Sequence, residues 1–274
     1  MQYKMIATDL DDTLLDDKSE ISTRNREAVL RAVEAGVRFV IATGRMFKTS
    51  VHYLQRMGLD GDCPLINYHG AMVKKSSSGE LILHRPISNA IAVTVAEEAE
   101  KRGSYVNLFI DDELYIKEEN DYSRFYQSMA HMGLKVVGSL APFLKNNGAE
   151  PSKMSIIQWD GTIEALEAEL RDKFGSELAI LQSRPNFLEL TDKRATKGQT
   201  LRWLAEQEGI KPEEIIAFGD GHNDLDMIIY AGLGVAVANA RPEVIKAADL
   251  VTASNVDDGV AEVIERYVLD LSSG

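Results

Sequence analysis

The stretch from Met5 to Leu14 constrains this chain more than any other. An apolar, β-prone run leads directly into Asp9, and two more carboxylates follow at Asp11 and Asp12. A strand ending here delivers these acids to its C-terminal edge, where open α/β sheets form their ligand crevices. Positions i and i+2 of a strand share a face. Extended geometry through Leu10 would therefore aim Asp9 and Asp11 at one point. Two close carboxylates repel unless a cation lies between them or one takes up a proton. The stretch calls for a hard divalent metal and for a protonated acid, on different residues.

The rest of the chain supplies a frame for that strand. A helical pattern puts Ala28, Val29, Ala32 and Val33 on one face, with Ser22 or Thr23 as N-cap and Gly36 just past the end. The run 37–42 is almost continuously apolar, as in strands buried on both faces, and it ends in Thr43-Gly44-Arg45. Strand, helix, strand reads as a right-handed βαβ unit. A helix over Val51–Met57, a strand at 65–68 and a hairpin with its tip at 76–79 continue the N-terminal part. From about Pro86 the texture changes. Helices are expected near 89–101, 122–131, 141–145 and 163–174. Strands are expected at 105–110, 114–117, 154–159, 178–182 and 187–190, the first two joined by a turn at Asp111-Asp112-Glu113. Strands here come in pairs as well as between helices, an α+β texture. After Lys193 regular alternation returns: helix from Lys197, strand 215–218, Gly219-Asp220-Gly221-His222-Asn223-Asp224, then helix, strand, helix from Pro242, strand and helix. The expected architecture is α/β: a Rossmann-like parallel-sheet core built from residues 1–85 and 189–274, with an α+β domain inserted at 86–188.

Composition excludes several classes. The formal net charge is −13, which argues against nucleic acid or an anionic membrane as partner. No apolar run approaches the roughly 18–20 residues of a membrane span. A strand begins almost at the N-terminus, so no signal peptide is expected. Cys63 is the only cysteine. A disulfide framework is thereby ruled out, and a reducing cytoplasm is the expected location.

Five features fall at strand ends or helix starts of the α/β parts: Asp9 with Asp11, Thr43-Gly44, Lys197, Asp220, and Asn223 with Asp224. Strand C-termini of a parallel sheet share one edge, so these can converge. Together they make a phosphoryl-transfer kit. Carboxylates hold Mg²⁺, a hydroxyl, backbone N–H groups and a lysine hold phosphate, one carboxylate acts as nucleophile and a second as general acid and base.

Here the sequence resembles the haloacid dehalogenase superfamily of phosphohydrolases, and within it the Cof-type branch with a large αβ cap. Asp9-Leu10-Asp11-Asp12-Thr13-Leu14, Thr43-Gly44-Arg45, Thr196-Lys197-Gly198 and Gly219-Asp220-Gly221-His222-Asn223-Asp224 match its four motifs in order. The resemblance implies a phosphatase for a small phosphorylated metabolite, such as a sugar phosphate or phosphorylated cofactor, with Mg²⁺ as cofactor. Asp9 would be nucleophile and metal ligand. Asp11 would be acid and base, with its backbone carbonyl on the metal. Leu10 and Gly44, through their N–H groups, and Thr43, Lys197 and Asn223 would hold phosphate. Asp220 would ligate metal, with Asp224 behind it. His69, in Tyr68-His69-Gly70-Ala71, departs from the branch's usual Asn, which puts that loop's cap-facing contact in question. Arg184, shortly before the chain returns to the core, is the specificity candidate for a second anionic group on the substrate. His222 is expected to be an exposed loop residue. A phosphosugar mutase or a non-enzymatic phospho-acceptor domain could use the same nucleophile. The large insertion argues against the first. The second acid and the insertion argue against the other. A dehalogenase would not need Asp11.

Overall fold

The computed structural model describes residues 2–59, 61–130 and 133–269. The chain falls into two compact units, residues 1–83 with 196–274, and residues 84–195.

In the first unit the N-terminal part contributes β1 (Met5–Thr8), α1 (Thr23–Glu34), β2 (Arg38–Ala42), α2 (Val51–Met57), β3 (Pro64–Asn67), β4 (Met72–Lys75) and β5 (Leu81–His84). The second unit holds α3 (Asn89–Lys101), β6 (Tyr105–Ile110), β7 (Glu113–Ile116), α4 (Asp121–Ala130), β8 (Leu134–Val136), α5 (Leu140–Asn147), β9 (Lys153–Ile157), α6 (Ile163–Phe174), β10 (Leu178–Arg184) and β11 (Phe187–Asp192). The first unit is completed by α7 (Lys197–Gln207), β12 (Ile215–Gly219), α8 (Leu225–Tyr230), β13 (Leu233–Val237), α9 (Pro242–Ala247), β14 (Leu250–Thr252) and α10 (Gly259–Tyr267).

The first sheet has the order β14-β13-β12-β1-β2-β3-β4-β5. β1 lies between β2 and β12 and is parallel to both. Its four residues are all buried, which is why the run carries no alternation. Ile6, Phe39, Ile41, Ile216 and Val235 pack on one side with Val29, Leu54 and Ile264 from α1, α2 and α10. Met5, Ala7, Val40 and Ala217 pack on the other with Leu201, Leu204 and Met227 from α7 and α8. The result is a three-layer α/β/α unit. Burying each large aliphatic side chain is worth roughly 1.5–3 kcal/mol. Polar atoms are concentrated at the strand ends, where Asp9, Thr43 and Asp220 follow β1, β2 and β12.

The second sheet, β10-β11-β9-β6-β7-β8, is largely antiparallel. Val106, Leu108, Met154, Ile156, Leu188 and Leu190 turn one face towards α3, α5 and α6. Asp111 and Asp112 form the expected turn, both with positive φ, the pairing that two-residue hairpins favour.

Two differences from the sequence reading have local causes. β8 was not expected, because Leu134-Lys135-Val136 is only three residues long and lies at a sheet edge. β11 runs on to Asp192, paired with β10 as far as Leu178↔Asp192, so the second unit closes at 195 and not 188. The expected helix end at His131 lies outside the described residues.

Candidate active site

β1 does not stay extended past Asp9. Residues 10–14 form a tight helical turn broken by Asp11 (φ −69°, ψ 132°) and Asp12 (φ 58°). Asp11 pairs with Arg45 instead: Arg45 Nε donates to Asp11 Oδ2 at 2.8 Å, and a second nitrogen donates to Oδ1. Arg45 also donates to the Tyr53 hydroxyl at 2.9 Å. Burial works against the Arg45 charge, but the Asp11 hydrogen bonds outweigh it and raise the guanidinium pKa. The extended geometry through Leu10, on which the expectation that both aspartates face one point depended, is therefore absent. The i, i+2 rule applies only to extended backbone.

The cluster forms around Lys197 instead. Its ammonium is fully buried, 2.7 Å from Asp9 Oδ1 and 2.6 Å from Asp224 Oδ1. Carboxylate oxygens of Asp9, Asp220 and Asp224 all lie within 4.8 Å of one another. Thr13 donates to Asp220 Oδ1 at 2.8 Å, so the first motif's threonine steadies the fourth motif's acid. The second oxygen of Asp224 accepts from the backbone N–H groups of Asp220 and Gly221. Gly219 makes this fold-back possible, since a Cβ there would lie 2.4 Å from the Cβ of Asp224.

Three carboxylates share one ammonium here, and the charges do not balance. Burial pushes the Asp9 carboxyl well up; Lys197 opposes the rise, and Asp224, Asp11 and Asp220 add to it. Asp220 is pushed up to about 6, chiefly by burial and by Asp224. Burial disfavours the Lys197 charge, but Asp224 and Asp9 overcome it and hold the amine protonated. A divalent cation would relieve the excess negative charge, and the all-oxygen donor set of Asp9 and Asp220 suits Mg²⁺.

The phosphate-binding candidates lie one and two strands away. Thr43 is fully buried, and its hydroxyl accepts from the Arg45 N–H at 3.1 Å. The loop after β3 is tied to this turn, with Tyr68 N donating to Arg45 O and His69 N to Thr43 O. Tyr68 and His69 both adopt positive φ. This conformation lays the His69 ring over Gly44, where a Cβ would come within 2.3 Å of Cε1. His69 Nδ1 lies 3.3 Å from Asn223 Nδ2. His69 therefore joins the turn after β2 to the loop after β12. Sequence reasoning singled it out only as a departure from a pattern. The adjoining Gly44 was the available signal, since its φ is ordinary and only a close neighbour requires a glycine. Leu10 is buried directly after Asp9. Arg184 lies in the second unit, exposed at the end of β10 where the pairing with β11 shifts register. His222 is exposed, 3.8 Å from Glu243.

The chain belongs to the haloacid dehalogenase-like hydrolases, whose family model matches residues 6–264. It is a phosphatase of that family, and several relatives carry the activity in their names. Phosphatase YwpJ of Bacillus subtilis is 29% identical over 287 residues, 97% of this chain and 100% of that protein. The B. subtilis 5-amino-6-(5-phospho-D-ribitylamino)uracil phosphatase YitU is 29% identical over 269 residues, 96% of this chain and 97% of that one. The crystal structure of a haloacid dehalogenase-like hydrolase from Bacteroides thetaiotaomicron superposes with a TM-score of 0.87 at 33% identity, covering 96% of this chain and 99% of the other. Among the described residues no helix is long and apolar enough to cross a membrane.

Two outcomes are expected from this geometry. Gly44→Ala should lower kcat/KM by about 10²-fold, because the new methyl group meets the His69 ring and displaces the turn. The same change made in a His69→Ala background should cost little further. Equal losses in both backgrounds would show that His69 does not set the requirement for glycine. The second outcome concerns pH. The native state holds a proton on Asp220 more tightly than the unfolded chain, whose reference value is 3.8. This group's contribution to the stability of EDTA-treated protein must therefore fall as pH rises from about 4 to 6. Asp220→Asn removes that slope and should raise Tm above pH 6. A variant whose Tm tracks the parent at every pH would disprove the strained charge state.

Proposed function

We propose that this enzyme is a Mg²⁺-dependent phosphatase that hydrolyses small phosphomonoesters, sugar phosphates or phosphorylated cofactors, through a phosphoryl group carried on Asp9. The observation that carries the reading is Lys197, buried between Asp9 and Asp224 beside Asp220. A lysine so placed opposes the rise that burial gives the Asp9 carboxyl, which favours the ionised form needed for attack, and faces the incoming phosphate with positive charge.

Asp9, Asp220 and the backbone carbonyl of Asp11 would hold Mg²⁺, with Asp224 supporting through Lys197 and the 220–221 backbone. The ion would neutralise phosphate oxygens and the Asp9–Asp220 pair. Asp9 attacks phosphorus while Asp11 gives its proton to the departing alcohol oxygen. Asp11, now ionised, takes a proton from water as that water attacks the phosphoryl-aspartate, which returns Asp9 and inorganic phosphate. Since Arg45 grips Asp11 in this structure, proton uptake by Asp11 requires that pair to part. Thr43, Asn223 and the N–H groups of Leu10 and Gly44 orient the phosphate. Residues 84–195 act as the specificity cap, and Arg184 is their candidate contact for a further negative group. Three relatives named for a phosphorylated ribityl compound support an organic phosphate of modest size. A cytoplasmic location fits the lone buried thiol of Cys63.

Phosphate release from a panel of phosphorylated metabolites should require Mg²⁺ and stop with EDTA. Turnover that survives thorough chelation would overturn the metal assignment. Asp9→Asn should abolish both turnover and the phospho-enzyme. Asp11→Asn should lower turnover of alkyl phosphates by roughly 10²–10⁴-fold. With aryl phosphates the same variant should give a burst of phenol and then a slow phase, since a phenolate leaves without a proton but hydrolysis still lacks its base. Equal suppression of the first burst for alkyl and aryl esters would contradict this division of labour.

A further inference from the structure

Two asparagines outside the four motifs hold the turn that carries Asp11. Asn239 lies between β13 and α9, and its Nδ2 donates to the Asp12 carbonyl at 2.7 Å. Its Oδ1 accepts from the backbone N–H of Asn255 at 2.9 Å. Because that N–H requires an oxygen, the atom turned to Asp12 must be the carboxamide nitrogen. Asn255 is buried and in turn donates through Nδ2 to the Leu15 carbonyl at 2.9 Å. The linked pair therefore grips the turn at Asp12 and at Leu15, from 227 and 240 residues away in the chain. The same segment reaches the fourth motif, since Arg241 N donates to the Asp220 carbonyl at 3.0 Å.

The turn needs an outside hold. Asp12 has φ 58° and ψ 8°, in the left-handed region that residues with a side chain seldom occupy. Such a conformation persists only where its surroundings over-determine it. Within the turn, Leu15 N donates to the Leu10 carbonyl at 2.9 Å, and the Thr13 side chain reaches Asp220. Neither bond fixes the peptide that follows Asp12; the Asn239 carboxamide does. If Asp12 relaxed to negative φ, the peptide before it would rotate, and the side chain of Asp11 would turn with it.

We propose that Asn239, backed by Asn255, is the positioning residue for Asp11: it locks Asp12 in its left-handed conformation and so sets the direction from which the acid meets the leaving oxygen. The proposal rests on the role given to Asp11 above. Asn239 touches no reacting atom and acts through the backbone alone. Proton transfer is sensitive to such placement, because donor and acceptor must come within hydrogen-bond reach, and a shift of about 1 Å costs up to 10²-fold. Attack by Asp9 on phosphorus does not pass through this contact. Loss of the clamp should therefore slow the departure of alcohols that need a proton and spare those that do not.

The test uses the full-length enzyme and two variants, Asn239→Asp and Asn239→Ala. The aspartate keeps the acceptor for Asn255 N and loses the donor to Asp12; the alanine loses both without adding charge. The readouts are kcat and KM on the alkyl phosphate that the parent hydrolyses fastest, and the first burst of phenol from p-nitrophenyl phosphate. Both variants should lower alkyl kcat about 10-fold, with KM and the rate of the phenol burst within about twofold of the parent. Amide exchange at Leu15 should also quicken in both, because the turn opens locally without its clamp. Loss in Asn239→Asp alone would assign the effect to the added charge, and loss in Asn239→Ala alone would assign it to the Asn255 contact; either overturns the proposal. So does an equal fall in alkyl turnover and in the phenol burst, or parent-like behaviour in both variants. Failure of the acid assignment itself is read separately, as an Asp11→Asn variant that treats alkyl and aryl esters alike, and it removes this proposal with it.

Discussion

The ammonium of Lys197, closed in between Asp9 and Asp224, is the contact on which the active end of the first unit depends. A lysine in the first turn of α7 works against the helix dipole, and full burial works against its charge. Two carboxylates reverse both penalties. Removing the ammonium would leave buried carboxylates with no counter-charge, the arrangement that costs most in a protein interior. The contact also seats α7, whose Thr200 hydroxyl donates to the Gly70 carbonyl at 2.8 Å and so anchors the loop that carries His69.

Much of this was legible in the sequence, for a specific reason. β1, β2, β12 and β13 are buried on both faces and read as unbroken apolar runs; Asp9, Thr43 and Asp220 stand where such runs stop, and Lys197 stands at a helix start. The elements that sequence missed lack that signature. β8 is three residues at an edge. The direction of the Asp11 carboxylate depends on one kink at Asp11-Asp12, and no periodicity encodes it. The contact of His69 with Gly44 and Asn223 joins three loops through space. Asn107 and Ser155 sit inside runs correctly read as strands, yet both side chains are buried without a hydrogen-bond partner, and nothing in an isolated strand announces that.

The two units place their polar groups differently. In the first, nearly every buried polar atom of the site is held by another: Thr13 by Asp220, Asp224 by two backbone amides, Thr43 by Arg45. Such a network fixes geometry in advance, as phosphoryl transfer demands. In the second, the Asn107 carboxamide and the Ser155 hydroxyl are buried without a hydrogen-bond partner, while Lys153 and Glu189 beside them pair with each other.

The central place of β1 bears on how the protein is made. Its neighbours are β2, which follows it closely in the chain, and β12, which follows the whole second unit. Thr13 and its partner Asp220 are 207 residues apart. At roughly 5–20 residues per second, a ribosome needs about 10–40 s to cover that distance. Through that interval one edge of β1 has no strand beside it, and Asp9 has neither its lysine nor its companion acids. Residues 84–195 are contiguous and can complete their own sheet while the first unit waits. Newly made chain thus passes through a stage with a finished insert and an unfinished parent sheet. During that stage an open, apolar strand edge is available to any other chain that can pair with it.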